Sequence, residues 1–386
     1  MRVKRIGVAG AGTMGAGIAQ VACFGGFVTH LHDPDPAALG AGEDRLRADL
    51  LKGADRGRWT RAEAEEASAQ LCAAGELEQL GDCELVIEAA PEDLELKRAL
   101  LERLACVCGP DAILATNTSS LSVSAIAAWV PSPARVCGMH FFNPPALMKL
   151  VEVVAGESTT EPTLAGATEV AERMGREPVR CADSVGFIVN RCNRPFTLEA
   201  LQILGAGIAG VAEIDQAVRE HDGYRMGPFE LMDLVGIDVN LGVARSFFAQ
   251  RPEPRWRPHP IQERMLAEGK LGRKTGEGFY RYPREDSSLV QLSEGVAVAI
   301  LERIVAQLVN EASFATQEGV AAPGDIDRAM RLGLNHPRGP FEWARELGQE
   351  RVLATLDSLR GELGDDRYAA APLLRRWVDA GTADPP

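Results

Sequence analysis

The sequence predicts an α/β protein: an N-terminal doubly wound sheet, Rossmann-type in its strand–turn–helix opening, followed by two tandem all-α domains. Three observations predict it. Apolar runs of strand length alternate with helix-period runs through the first half, the pattern of a parallel sheet covered by helices. From Phe187 onward no stretch reads convincingly as a strand. The second half also repeats itself at one fixed offset. The expected boundaries are 1–185, 186–285 and 286–386.

The first strand is residues 4–9, K-R-I-G-V-A, and a helix-period run follows from Ala16 to Phe24. Between them lies Gly10-Ala11-Gly12-Thr13-Met14-Gly15. A G-x-G-x-x-G alone is weak, because glycines cluster in many turns. Here a second strand, Phe27 to His32, ends in Asp33, which places an acid about 20 residues downstream and completes the dinucleotide context. The glycines let the backbone approach a pyrophosphate, and the helix N-terminus supplies N–H groups and a partial positive charge. Asp33 can bind ribose hydroxyls, and an acid there repels a 2′-phosphate, so NAD is expected over NADP. His30 and His32 share one face of the second strand and read as fold residues, not metal ligands.

Residues 34–80 look helical and charged, with Lys52, Arg56 and Arg58 as a cationic cluster of the kind that ordinarily faces solvent. Strands resume at Cys83 to Ala90 and Ala112 to Ala115, with a helix, Leu94 to Val107, between them. Ligands of such sheets bind beyond the carboxyl ends of the strands. The segments that follow the strands here are Pro91-Glu92 and Thr116-Asn117-Thr118-Ser119-Ser120. The second is a polar run that either meets a substrate or caps the next helix.

Val136 to Phe142 and Leu150 to Val154 are strand-like runs, broken apart by Asn143-Pro144-Pro145. The first carries an isolated histidine, His140, and the second a single acid, Glu152. If the two runs lie side by side, a carboxylate comes within reach of an imidazole, which makes a general base and its orienter. A lone histidine near a strand end is also a common structural group, and a lone glutamate on a strand commonly faces water. A helix from Pro162 to Gly175, a short strand from Pro178 to Arg180 and a turn at Asp183 to Gly186 close the sheet region.

Composition limits the function. At 386 residues and 46% hydrophobic, the chain is long enough for two or three domains. A formal charge of −14 disfavours nucleic acid and anionic membrane surfaces as partners. No stretch has the length of a membrane span, and Met1-Arg2-Val3-Lys4-Arg5 runs straight into a strand with no signal-peptide core. The eight cysteines are scattered without paired metal-ligand spacing, so no metal is expected and reduced thiols in a cytoplasm are.

The internal repeat appears on sliding the chain by 112 residues. Glu199-Ala200 falls on Glu311-Ala312, Gly207 on Gly319, and Ile214-Asp215 on Ile326-Asp327. Gly227-Pro228-Phe229-Glu230 falls on Gly339-Pro340-Phe341-Glu342, Gly236 on Gly348 and Pro260 on Pro372. The helical domain is therefore expected twice, with the junction near Arg284 to Ser288.

With these pieces the chain resembles the 3-hydroxyacyl-CoA dehydrogenase family from residue 4 to about 283. The motifs that carry the resemblance are G-A-G-T-M-G-A-G-I-A-Q at 10–20, P-E-D-L-E-L-K at 91–97, T-N-T-S-S-L at 116–121 and H-F-F-N-P at 140–144. K-L-V-E-V-V at 149–154, G-F-I-V-N-R at 186–191, G-P-F-E-L-M-D at 227–233 and G-R-K-T-G-E-G-F-Y at 272–280 complete the set. The resemblance implies NAD-dependent oxidation of an L-3-hydroxyacyl-CoA, with His140 as base and Glu152 as its partner. It implies that Ser119 and Asn190 touch the substrate near the reacting carbon. Asp33, Glu92, Lys97, Ser119, Asn143 and Lys274 would touch the cofactor with the glycine loop, and Lys52 and Arg56 would meet coenzyme A phosphates. Val185 and Ala146 stand where the family commonly has proline. The second helical copy lacks the chemistry: Asn190 maps to Glu302, and no glycine loop precedes it. The family's helical domains pair across a dimer, so the fused copy is expected to supply that partner in cis, giving a monomer; a homodimer is the alternative. A dehydrogenase of a free hydroxy acid on the same architecture is the rival activity. A hydratase or thiolase partner is left open.

Overall fold

The computed structural model describes residues 3–283, 292–382 and 384–385. The expected junction at Arg284 to Ser288 lies outside them. Chain contacts divide the protein into two compact units, residues 1–187 and 188–386, and both helical copies belong to the second.

The first unit is built on a sheet of eight strands among the described residues. They are β1 (Arg5–Ala9), β2 (Val28–His32), β3 (Leu71–Ala74), β4 (Leu85–Glu88), β5 (Ile113–Thr116), β6 (Val136–Phe141), β7 (Leu150–Ala155) and β8 (Glu177–Ala182). Their spatial order is β3-β2-β1-β4-β5-β6-β7-β8, with the glycine loop leaving central β1. Alternate residues bury on opposite faces. Ile6, Val8, Leu85 and Ile87 join a core beneath α1 (Thr13–Phe24), α2 (Pro36–Asp55) and α3 (Arg61–Ala69). Val86 and Leu114 join a second core beneath α4 (Leu94–Val107) and α5 (Val123–Ala127). Each fully buried Leu, Ile or Val contributes about 1.5–3 kcal/mol, and burial on both faces explains the nearly unbroken apolar runs.

Two features depart from the expected pattern. Leu71-Cys72-Ala73-Ala74, inside the stretch read as helical, forms edge strand β3, parallel to β2. Its alanines and its position directly after α3 give no strand signal, and its pairing with β2 decides the conformation. The sheet is also not wholly parallel. β6 and β7 pair antiparallel, joined by residues 142–149, a connection too short for the dozen or more residues of a parallel crossover. β8 then runs parallel to β7 after α6 (Glu161–Arg173), so the last two strands oppose the first six.

The second unit is helical. Its first copy holds α7 (Val189–Cys192), α8 (Arg194–Gly205), α9 (Val211–Asp222), α10 (Pro228–Val235), α11 (Ile237–Gln250) and α12 (Pro260–Ala267). The second holds α13 (Glu294–Gln317), α14 (Pro323–Leu334), α15 (Pro340–Leu347), α16 (Gln349–Leu363) and α17 (Pro372–Ala380). Adding 112 to the bounds of α9 and α10 gives those of α14 and α15, so the repeat is structural. In both copies an aspartate accepts from the first turn of the Gly-Pro-Phe-Glu helix: Asp215 from Phe229 N at 2.9 Å, and Asp327 from Phe341 N at 2.8 Å. The glycines are required by close approach, since a Cβ would lie 2.3 Å from Asp215 at Gly227 and 2.2 Å from Asp327 at Gly339.

The copies pack about a local twofold relation. Arg191 pairs with Glu311 at 2.8 Å, and its equivalent Arg303 pairs with Glu199, the equivalent of Glu311, at 2.5 Å. Tyr224 and its own equivalent His336 meet edge-on, with ring centroids 4.9 Å apart, as residues beside a twofold axis must. No helix among the described residues is long and apolar enough to cross a membrane.

Candidate active site

The β6–β7 ladder places Cα of His140 directly opposite Cα of Glu152. Opposed residues of an antiparallel pair project to the same face, so the proline break between two short runs is enough to bring imidazole and carboxylate together. Nδ1 of His140 lies 2.5 Å from Oε2 of Glu152. Glu152 has no exposed surface and His140 is 6% exposed. A carboxylate beside Nδ1 accepts a hydrogen bond from Nδ1–H, which leaves the lone pair of a neutral imidazole on Nε2. The rings of Phe142 and Phe187 pack against the imidazole, with centroids 4.5 and 5.8 Å away. Such an imidazole can accept a proton at Nε2 while a buried anion stabilises the charge it gains.

The glycine loop leaves β1 and opens α1. Gly10 has φ +112°, and a Cβ there would sit 2.6 Å from the Ala89 carbonyl oxygen. At Gly15 a Cβ would lie 1.7 Å from the carbonyl of Gly10, so the loop closes on itself only with glycine. At Gly12, the N-cap of α1, a Cβ would meet nothing within 4 Å. There the open space lies in front of uncapped helix N–H groups, where an anion binds. Asp33 continues from β2, accepting from Ala11 N at 2.9 Å and Asp35 N at 3.1 Å, so its carboxylate is fixed beside the loop. A cavity of about 690 Å³ is bounded by this loop, Thr13, Met14 and Asp33 on one side and by Ala89, Leu96, Leu100 and Arg103 on the other. These residues fit a dinucleotide: uncapped N–H groups for a pyrophosphate, an acid for a ribose and an apolar slot for a flat base. The α4 wall was missed from the sequence. Its signal is Leu96, 43% exposed on the first turn of a helix that begins beyond β4.

Beyond the ends of β4 and β5 a polar cluster holds the loops. Lys97 is fully buried; its Nζ donates to Glu88 Oε1 at 2.8 Å, Ala90 O at 3.1 Å and Asn117 O at 3.3 Å. It therefore lies beneath the loops, with Glu92 Oε2 3.6 Å away. Glu92 Oε1 accepts from Thr118 Oγ1 at 2.7 Å, Ser119 N at 3.0 Å and Ser120 Oγ at 2.9 Å. Burial resists ionisation of Glu92, but the Thr118 hydrogen bond, the Lys97 charge and the serine contacts outweigh it and hold its pKa below the ordinary carboxylate range. The Thr116–Ser120 run thus wraps Glu92, and the cap of α5 is Ser122, whose side chain accepts from Ala125 N at 3.1 Å. The Asn117 side chain accepts from Phe141 N at 2.9 Å and ties this loop to the end of β6 beside His140.

The remaining expected residues are scattered. Asn143 is exposed just after β6. Lys52 and Arg56 are exposed at the C-terminal end of α2, one turn apart. Asn190, half-buried on α7, and Lys274, whose Nζ lies 2.5 Å from Asp238 Oδ1, belong to the second unit. Among the described residues no group of three or more His, Cys, Asp or Glu side chains could hold a metal.

Comparison with known proteins agrees with this architecture. Residues 5–184 match the NAD-binding domain of 3-hydroxyacyl-CoA dehydrogenase, and its C-terminal domain matches twice, at residues 186–282 and 300–384. An Escherichia coli 3-hydroxyadipyl-CoA dehydrogenase is 36% identical over 97% of this chain and 98% of its own length. A probable 3-hydroxybutyryl-CoA dehydrogenase of Bacillus subtilis is 38% identical over 74% of this chain and all of its own length. The crystal structure of a 3-hydroxybutyryl-CoA dehydrogenase from Escherichia coli K12 has a TM-score of 0.93 at 34% identity, covering 99% of this chain and 100% of that one.

Proposed function

The chain belongs to the 3-hydroxyacyl-CoA dehydrogenase family, and from that premise we propose that His140 is the general base of the reaction, oriented by Glu152. The protein is an NAD-dependent oxidoreductase acting on 3-hydroxyacyl-CoA. The single observation that carries the residue assignment is the buried 2.5 Å contact between Nδ1 of His140 and Oε2 of Glu152.

In the oxidative direction the 3-hydroxyl proton passes to Nε2 of His140 as the C3–O bond becomes a carbonyl. The glycine loop and Asp33 would hold NAD, whose chemistry would be to take up the hydride leaving C3. Glu152 stabilises the imidazolium that results, because an opposite charge in contact favours the charged form. Ser119 and Asn190 donate to the oxygen at C3, a role that in other enzymes is worth about 3–4 kcal/mol. The glycine loop, Asp33, Glu92, Asn143 and Lys274 bind or orient the cofactor. Lys97 acts from below by holding the loops that carry Glu92 and Asn117. Lys52 and Arg56, a turn apart on an exposed helix end, meet the coenzyme A phosphates.

The test is NADH consumption with acetoacetyl-CoA, run beside longer 3-ketoacyl-CoAs and free acetoacetate. Activity confined to the thioesters is expected; activity on the free acid alone would select the rival dehydrogenase. In His140→Ala turnover should fall by about 10²–10⁴-fold with NAD affinity nearly unchanged.

The chain acts as a monomer in this reading, because the second copy already covers the face that an identical partner would otherwise cover. Support comes from the reciprocal Arg191–Glu311 and Arg303–Glu199 pairs. Light scattering should give the mass of one chain, and a mass of two chains joined through the helical unit would refute it. A cytoplasmic location is part of the same reading, on eight unbridged cysteines, six of them buried.

A further inference from the structure

The local twofold relation is broken at one place, and the break leaves a cavity. On one side of the axis Glu311 accepts from Nε of Arg191 and Nε of Arg255, each at 2.8 Å, and from Trp256 Nε1 at 3.0 Å. Glu318 adds a second acid, 3.0 Å from Arg191 Nη1, 2.6 Å from Arg251 Nη1 and 3.6 Å from Arg255 Nη2. Glu253 pairs with Arg251 at 2.8 Å and with Arg255 at 2.9 Å. Three guanidinium groups thus meet three carboxylates.

On the opposite side, equivalent residues lie 112 positions away. Glu199, for Glu311, accepts from Arg303 Nη2 at 2.5 Å and from Tyr368 OH at 3.3 Å. Asp365 replaces Glu253 and Arg367 replaces Arg255. The counterpart of Glu318, however, is Ala206, and that of Arg251 is Leu363. Ala206 and Glu318 occupy the same backbone position, each the C-cap of its helix, with φ −79° and −82°. The acid is missing, and Arg367 leaves two guanidinium nitrogens unbonded where Arg191 and Arg255 each leave one. Arg367 is 4% exposed, yet its Nε and Nη1 bond to nothing, and the nearest carboxylate oxygen, on Asp365, is 3.8 Å away. Buried guanidinium hydrogens left unbonded are costly.

Where the missing carboxylate would project lies a cavity of about 470 Å³, lined in part by Ala206, Ile261, Arg264, Arg303, Leu363 and Tyr368. Among the described residues Arg264 makes no ion pair. Arg303 and Arg367 keep two acids, Glu199 and the cavity-lining Asp365, and Arg264, which also lines the cavity, brings a third cation with no carboxylate of its own among the described residues. His259, also at the cavity, does not add to the excess: burial, with Arg367 and Arg264 nearby, pushes its pKa down to about 4 and keeps it neutral at pH 7.

We propose that this cavity binds a small oxyanion, whose head group takes the place that Glu318 holds on the opposite side. Arg303 and Arg264 are its cationic contacts, and Tyr368 offers a hydroxyl. Ala206, Ile261 and Leu363 give the remaining volume an apolar lining, which suits a short carboxylate. Inorganic phosphate shares the head-group chemistry, and the experiment separates the two.

The thermal unfolding midpoint of the full chain is followed at pH 7.5 and fixed ionic strength, against butyrate in one series and inorganic phosphate in another. An anion bound only to the folded chain raises the midpoint logarithmically once its concentration exceeds Kd, since stability grows as RT ln(1 + L/Kd) with L the free anion concentration. A rise of this form with butyrate assigns a carboxylate ligand, and one with phosphate alone assigns the inorganic ion. Ala206→Glu supplies the missing acid; it should raise the midpoint without anion and abolish the response. Glu318→Ala opens the matching vacancy across the axis and should respond more steeply to the same anion, because a second site adds a second logarithmic term. No logarithmic rise with either anion, or an equal rise in a folded Ala206→Glu protein, overturns the site. Should that variant fail to fold, a Glu318→Ala protein that responds no more than the parent overturns it instead.

Discussion

His140 and Glu152 face each other across the β6–β7 ladder, with Nδ1 and Oε2 2.5 Å apart and the carboxylate wholly buried. Their relation depends on strand register, so a one-residue slip would send one of them to the opposite face of the sheet. A site built on ladder pairing inherits the rigidity of the sheet, which favours a base that must hold one orientation.

The charge on Glu152 is separable from its hydrogen bond. Glu152→Gln keeps an acceptor at nearly the same reach but removes the anion that stabilises a protonated His140. Turnover should fall, and the acidic limb of the pH–rate profile should move toward lower pH, because the imidazolium loses its counter-charge. An unchanged profile would make Glu152 a structural group only.

Asp33 offers a similar separation. Asp33→Asn retains an oxygen for Ala11 N, which now lies 2.9 Å from the carboxylate, so the glycine loop should stay in place. Loss of the charged acceptor should raise the KM for NAD by about 10-fold or more, since hydrogen bonds to charged groups contribute about 1.5–3 kcal/mol. Activity with NADP should improve relative to NAD, because the repulsion of a 2′-phosphate is gone. Steady-state kinetics with both cofactors checks this, and an unaltered NAD KM would remove Asp33 from the ribose contact.

The parts of the fold and site that were legible in the sequence are those set by local pattern. The strand–glycine loop–helix opening, the two strand-like runs on either side of the proline break, and the 112-residue repeat all carry their signal in contiguous residues. What was illegible depends on pairing at a distance. β3 is a strand only because β2 offers it an edge. The resemblance puts Lys97 on the cofactor, yet Glu88 and two carbonyls hold it fully buried beneath the loops. The polar run Thr116–Ser120 gives no hint that a carboxylate 26 residues earlier organises it. The 112-residue offset alone sets Ala206 against Glu318, but what that acid neutralises shows only in its contacts with Arg191 and Arg251.

The repeat also makes a paired stability prediction. Gly227 and Gly339 stand in the same tight contact with Asp215 and Asp327. Alanine at either should push the helix start away from its aspartate and cost about 1–3 kcal/mol, the range for overpacking. Urea unfolding of the two variants should give similar losses. A loss at Gly227 without one at Gly339 would mean that the second copy relaxes where the first cannot.

Acid sensitivity should trace to His336. It is buried against the rings of Phe196 and Tyr224, at centroid distances of 5.6 and 4.9 Å, and burial pushes its pKa down to about 3. In the unfolded chain it protonates near 6.5, while in the folded chain it stays neutral until about 3. The unfolded state therefore binds more protons across this window, and stability present above pH 6.5 is lost as pH falls. Asp215 and Asp327 act in the opposite sense, since burial raises them to about 7 and about 6 and their contribution is lost as pH rises. A direct pH scan of the wild-type chain mixes these effects; a difference against His336→Gln isolates one. That variant should be less stable than wild type at pH 7, and the gap should shrink by about 2–3 kcal/mol between pH 6.5 and 4.5, at about 1.36 kcal/mol per pH unit. Urea midpoints at four pH values would measure it, and a gap that stays constant would show that His336 protonates in the folded protein as readily as in the unfolded one.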